Sequence, residues 1–234
     1  GESVGVYETG TNVKLTPETR DKGLVGYWKL DEGGGTSAIN SSGNANGNIA
    51  GGPLWTAGKI GGGLTFDSID DQITVANYGG INPTSDITVM AWVRPDPSGY
   101  GTGANPGIAS KKLSMIGWGA LGVELSTGKP WGKIYQSNSD LGIYTDVVGD
   151  TAIPVGQWSH VAMVADSVYS LIKLYLNGAM VVIGSYNGTL RVTNGNFFIG
   201  KQGTERFNGI IDEVKVYNRA LSGSEIQAYY GATR

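Results

Sequence analysis

"SLIKLYLNGAMVVIG", residues 170 to 184, is the stretch whose reading decides the fold. Ile172, Leu174 and Leu176 alternate with Lys173 and Tyr175, the period of a strand with one buried face. Asn177-Gly178 then supplies the two positive-φ residues of a type I′ hairpin turn, and the chain returns through a second apolar run. Working outward, similar runs recur with turn residues between them: "LVGYWKL" from Leu24, "QITVANY" from Gln72, "ITVMAWVRP" from Ile87, "SHVAMVAD" from Ser159, "NFFIG" from Asn196 and "IIDEVKVY" from Ile210. This pattern predicts an all-β, two-sheet antiparallel jelly-roll sandwich. One short C-terminal helix is expected, because Ser222 and Glu225 form an S-x-x-E capping box ahead of Ile226, Tyr229 and Tyr230. Residues 97 to 107, "PSGYGTGANPG", read as a mobile loop.

Composition narrows the function classes. The 234 residues, 40% of them hydrophobic, suffice for one sizeable core. The 39 glycines are interleaved with apolar runs, which excludes collagen and disorder and marks them as turn residues. A formal net charge of −3, with lysines scattered singly, offers no broad basic surface for nucleic acid or an anionic membrane. With no cysteine there are neither disulfides nor thiolate metal sites. No apolar stretch reaches the roughly 18 residues that a membrane span needs. Nothing near Gly1 reads as a signal peptide, so the chain is expected to be cytosolic, a matured product or an excised piece.

Several motifs in order resemble one family. "GLVGYWKLDEGGGT", "WTAGKIGGGLTFDSIDDQITV", "ITVMAWVRP", "WSHVAMV", "LYLNG", "FFIGK" and "FNGIIDEVKVYNRALSGSEI" are similar to the concanavalin A-like, laminin-G-like jelly-roll modules of secreted prokaryotic proteins. The resemblance covers about residues 24 to 230 and leaves residues 1 to 23 as an extension. It implies a non-catalytic role in binding glycans or surfaces, a structural calcium ion, and an extracellular or cell-surface location. Fold alone fixes none of these.

The acids of "IIDEVKVY" are the first candidates for chemistry. Strict alternation puts Asp212 with Ile210 and Val214 on one face and Glu213 with Lys215 on the other, so they cannot act on one bond. Neither the E-x-D-x-x-E strand of laminarinase-type enzymes nor a sialidase-like S-x-D-x-G-x-T-W box occurs. His160, the only histidine, falls on an apparent core strand and reads as structural, and no enzyme is expected. An unpaired Asp212 on an apolar face would be costly, and a cation would remove the difficulty. The resemblance implies calcium at positions matching Asp31, Gly63 and Asp212, with main-chain carbonyls completing the oxygen set. The alternative is a hydrogen bond from a neighbouring group to Asp212. Asp67, Asp70 and Asp71 lack EF-hand spacing and read as turn formers.

The six tryptophans carry the ligand question, since indole stacks on sugar rings. Trp28, Trp92 and Trp158 fall in strand motifs and read as core, and Trp55 as packing. Trp118 and Trp131 lie in the glycine-rich stretch 114 to 136, where the resemblance is loosest, and either bind a glycan or fill the second sheet's core. Tyr135, Tyr144, Lys111, Glu124, Gln136 and Asn138 are available as a polar fringe. N-x-S/T triplets begin at Asn40 and Asn187.

Residues 1 to 23 read as a linker, a strand folded back on the module, or an arm that pairs with a neighbouring copy. The expected partners are therefore a polysaccharide or glycoconjugate and other copies of the chain, without nucleic acid or membrane insertion. Two alternatives stand beside the recognition module: a structural subunit assembled through the arm, and, more distantly, a glycoside hydrolase.

Overall fold

The computed structural model describes residues 21–113, 116–136 and 143–234. Its strands begin with β1 (Leu24–Trp28), β2 (Ser37–Ala38), β3 (Gly47–Ala50), β4 (Leu54–Ala57), β5 (Gly62–Asp67) and β6 (Gln72–Val75). The middle of the chain forms β7 (Ile87–Pro95), β8 (Gly107–Leu113), β9 (Ile116–Glu124), β10 (Lys129–Tyr135), β11 (Tyr144–Val148) and β12 (Ser159–Asp166). The remainder forms β13 (Leu171–Leu176), β14 (Ala179–Ser185), β15 (Phe197–Ile199), β16 (Lys201–Gln202), β17 (Glu205–Arg206) and β18 (Asn208–Tyr217), then helix α1 (Gly223–Thr233).

Two sheets result. The first runs β14-β13-β12-β7-β18-β5-β4 with β1 also on β18, and the second runs β11-β10-β9-β8-β15-β6-β3-β2. The expected all-β, two-sheet jelly roll with a C-terminal helix is what forms. The Asn177-Gly178 turn has φ values of 51° and 81°, as a type I′ hairpin needs, and joins β13 to β14. Between the sheets lies one large core that includes Trp28, Phe66, Val89, Trp118, Ile134, Leu174, Phe197 and Ile211. A second apolar cluster lies on the outer face of the first sheet, where Ile226 and Tyr229 of α1 cover Met90, Val164 and Tyr217. The predicted capping box is present: Ser222 accepts from the Glu225 amide and Glu225 from the Ser222 amide.

Three stretches go beyond the sequence reading, and the last departs from it. The glycine-rich stretch around Trp118 and Trp131 is two long strands, β9 and β10, whose glycines hide their alternation. The loop at 97 to 107 forms where it was expected, with Tyr100 donating to the Ile153 carbonyl at 2.8 Å. Most consequentially, β18 does not alternate strictly. Its register slips between Asp212 and Lys215, and Glu213 takes φ 53°. Ile211 points into the core before this bulge, and Val214 and Val216 after it, so Asp212 does not share a face with Val214 as expected. The arm expected at residues 1 to 23 falls, up to residue 20, outside the described residues.

Candidate functional site

The bulge stands where β18 changes neighbours. Residues 208 to 211 pair with β5 and residues 214 to 217 with β1, which leaves Asp212 and Glu213 at the junction. The turn between β4 and β5 fills the gap. Asp212 Oδ2 accepts from the amides of Lys59 at 2.8 Å and Ile60 at 2.9 Å, while Asp31 Oδ1 accepts from the Gly62 amide at 2.6 Å. Asp212 Oδ1 is buried without a partner. Burial, with Glu213 nearby, pushes the Asp212 carboxyl up to about 7 against the lowering effect of those amides.

Glu213 is held differently. The Tyr27 hydroxyl lies 2.8 and 2.7 Å from its two oxygens and donates to the carboxylate, and Lys215 Nζ lies 2.7 Å from Oε2. Burial and this carboxylate hold the Tyr27 phenol above its ordinary range. Tyr27, Lys29, Asp31, Glu213, Lys215 and Tyr229 line a cleft of about 400 Å³ on the outer face of the first sheet.

Of the expected calcium ligands, Asp31 and Asp212 therefore converge on one turn. Gly63 has a packing role, since a Cβ there would stand 3.1 Å from Gly58 Cα and 3.2 Å from Ile210 Cγ2. The donor set suits a hard cation in one respect: the unclaimed, buried Asp212 Oδ1.

The ligand candidates are enclosed. Trp118 is 1% exposed, belongs to the core and donates Nε1 to the Ile81 carbonyl, so its sugar-stacking role is corrected to packing. Lys111 is buried, with Nζ on Asn77 Oδ1 at 2.7 Å and on the Gly195 carbonyl at 2.5 Å, and burial lowers it to about 8. It is no surface fringe. Trp131 and Tyr135 are on the face of β10 opposite Ile134, away from the core, yet only 2% and 3% exposed. They belong to a strip that the sequence did not single out as such. Lys133 stands between them, 3.8 Å from the ring centroid of Tyr144 and 3.3 Å from Asp146, and Tyr144 is 47% exposed. Opposite Trp131 and Lys133 stand Gly122 and Ala120 on the β9 side, and Val148 and Asp146 on the β11 side.

The other tryptophans divide. Trp28 is core; Trp92 is buried beneath α1 with Nε1 3.1 Å from Thr233 Oγ1; Trp55 packs at the core's margin; and Trp158 is only half-buried, beside Arg94. His160 is buried against Trp92, with Nδ1 unpartnered and its pKa lowered to about 3 by burial and by Lys215. Burial thus favours its neutral imidazole. Asn40 is buried, its side chain bonding Tyr27, Ser42 and Ala45, so that triplet presents no free amide.

The model of the concanavalin A-like lectin/glucanases superfamily matches residues 67–227, and the chain belongs to that superfamily. A search of curated proteins gives no match. Among solved structures, the binding domain of Paraclostridial Mosquitocidal Protein 1 superposes with a TM-score of 0.73 at 18% identity, over 91% of this chain and 52% of that one. Domain 4 of AbnA, a GH43 extracellular arabinanase from Geobacillus stearothermophilus in complex with arabinotriose, gives 0.66 at 22%, over 87% and 96%. A botulinum neurotoxin type C structure, described through cell entry dependent on two ganglioside molecules, gives 0.69 at 11%, over 93% and 53%. The chain thus spans about half the length of the two toxin structures. At these identities the likeness is one of fold.

Proposed function

We propose that this member of the superfamily is a non-catalytic, extracellular recognition module that binds a polysaccharide or glycoconjugate and carries a structural calcium ion. The observation that carries the reading is superposition of about nine-tenths of the chain on a domain in complex with arabinotriose, on a toxin binding domain and on a toxin structure described through cell entry dependent on two ganglioside molecules. The Tyr144–Lys133–Asp146 strip supports a place for the ligand. Its half-exposed ring offers an apolar face to a sugar, and the lysine and aspartate offer a donor and an acceptor for hydroxyls. Trp131 and Tyr135 flank Lys133, whose Nζ lies 5.5 and 5.8 Å from their ring centroids.

Two features support a non-catalytic role. Asp212 is fully buried and Glu213 is already engaged by Tyr27 and Lys215, so the two acids do not face a shared open cleft. Calcium would be held by Asp212 Oδ1, with Asp31 and backbone carbonyls near the 58–62 turn, and would supply positive charge at the junction of β18, β5 and β1. No described helix is long and apolar enough to cross a membrane. A glycan array that includes arabinan oligosaccharides, sialylated glycans and ganglioside headgroups tests the reading. Saturable binding to one glycan class is expected, and no binding to any glycan at high protein concentration overturns it.

A further inference from the structure

We propose that the crossover between β5 and β6 is a cation site, formed by Asp67, Asp70 and Asp71 and suited to calcium. The chain leaves the first sheet at Asp67 and enters the second at Gln72, so four residues join the two layers. In this turn one oxygen from each of the three carboxylates lies within 4.8 Å of the others. Among the described residues no lysine or arginine forms an ion pair with any of them.

A cluster of acids on a turn would mean little by itself. Asp71 sets this one apart. It is 3% exposed; its Oδ2 accepts from the Asp67 amide at 3.0 Å, while its Oδ1 is buried with no hydrogen-bond partner. Leaving such an oxygen unsatisfied beside two further carboxylates is costly, and among the described residues no donor or cation offsets the cost. A divalent cation placed among the three groups does so.

The chemistry of the donors selects the ion. All three are hard oxygen ligands, with no imidazole or thiolate, which disfavours zinc. Calcium accepts six to eight oxygens in loose geometry, and the exposed Asp67 and Asp70 leave room for water to complete the set. Magnesium demands a closer octahedron. The ion would also have a mechanical consequence. The end of the β3 strand packs against this turn, since a Cβ on Gly51 would stand 2.6 Å from the Asp70 carbonyl, and Thr102 donates to the Ser68 carbonyl at 3.3 Å. Binding here would stiffen the only direct link between β5 and β6 and the loops resting on it.

Calorimetric titration of calcium chloride into the full chain, with Asp70→Asn, Asp71→Asn and Asp212→Asn variants, tests the site separately from the calcium proposed at Asp212. Asp70 is exposed, so its variant keeps the fold even if Asp71→Asn does not. The expected result is a binding event that persists in Asp212→Asn and is lost, or weakened at least tenfold, in Asp70→Asn. Wild-type protein that binds no calcium, or binds it identically in Asp70→Asn, overturns the site. Loss of calcium only in Asp212→Asn would likewise overturn it while leaving the other site intact.

Discussion

Asp212 and Glu213 are adjacent in sequence and point their carboxylates to different partners across a β-bulge: Asp212 to the amides of Lys59 and Ile60, Glu213 to the Tyr27 hydroxyl and Lys215. The bulge leaves a fixed, ion-paired acid beside a buried one with an unclaimed oxygen. At this junction, calcium and pH should therefore act through Asp212 rather than through Glu213.

The pH dependence has a definite sign. The folded-state pKa of Asp212, about 7, lies above its ordinary 3.8, so the folded protein binds more protons than the unfolded chain between those values. The contribution to stability is present below about pH 4 and lost as pH rises towards 7, at up to about 1.4 kcal/mol per pH unit. Asp212→Asn keeps an oxygen for the two amides and removes the titration. Urea midpoints between pH 4 and pH 8 without calcium should show the variant gaining on wild type as pH rises.

His160 acts in the opposite sense. Its pKa is lowered from 6.5 to about 3, so the unfolded chain binds the extra proton and stability is lost as pH falls through that range. Substitution His160→Gln removes this slope. Between pH 6 and pH 4, melting curves should show the variant losing less stability than wild type.

Calcium that binds only the folded state should stabilise by about 2.7 kcal/mol at one hundred times its dissociation constant. Asp212→Asn should lose that part of the response due to its own site. Equal melting temperatures with calcium and with chelator, together with no metal by elemental analysis, would sink the structural-calcium reading.

Trp118, one of the two tryptophans singled out from sequence, should behave unlike a ligand contact. Trp118→Ala should cost about 3 to 5 kcal/mol, because it empties the core beside Phe197. Tyr144→Ala, at a half-exposed position, should change stability by about 0.5 kcal/mol or less. Chemical denaturation of both variants measures the contrast.

Much of the fold was legible because its signals are local. The Asn177-Gly178 turn, the strands β7 and β12 and the Ser222–Glu225 cap each follow from a few neighbouring residues. The site was legible only in part. Asp31 and Asp212, linked in sequence only through the calcium that the resemblance implies, meet at the 58–62 turn as acceptors for its amides, but the bulge that reorients Asp212 depends on β18 exchanging β5 for β1, which no local pattern announces. Trp118 and Trp131 looked alike amid glycines. Gly117 and Gly119, with φ 122° and 134°, break the alternation of β9 on either side of Trp118, which belongs to the core while Trp131 does not. Lys133 and Tyr144 become neighbours through β10–β11 pairing, a relation the intervening residues conceal.

The measurement that bears most directly on the recognition role is calorimetric titration of the best glycan from the array into wild-type protein and the Tyr144→Ala and Lys133→Ala variants, each first shown to melt as wild type does. The account predicts saturable binding by wild type and at least a tenfold weaker affinity in Tyr144→Ala. Undiminished binding by both folded variants would contradict the assignment of the glycan site to this strip, and the absence of any glycan binding by wild type would contradict the recognition role itself.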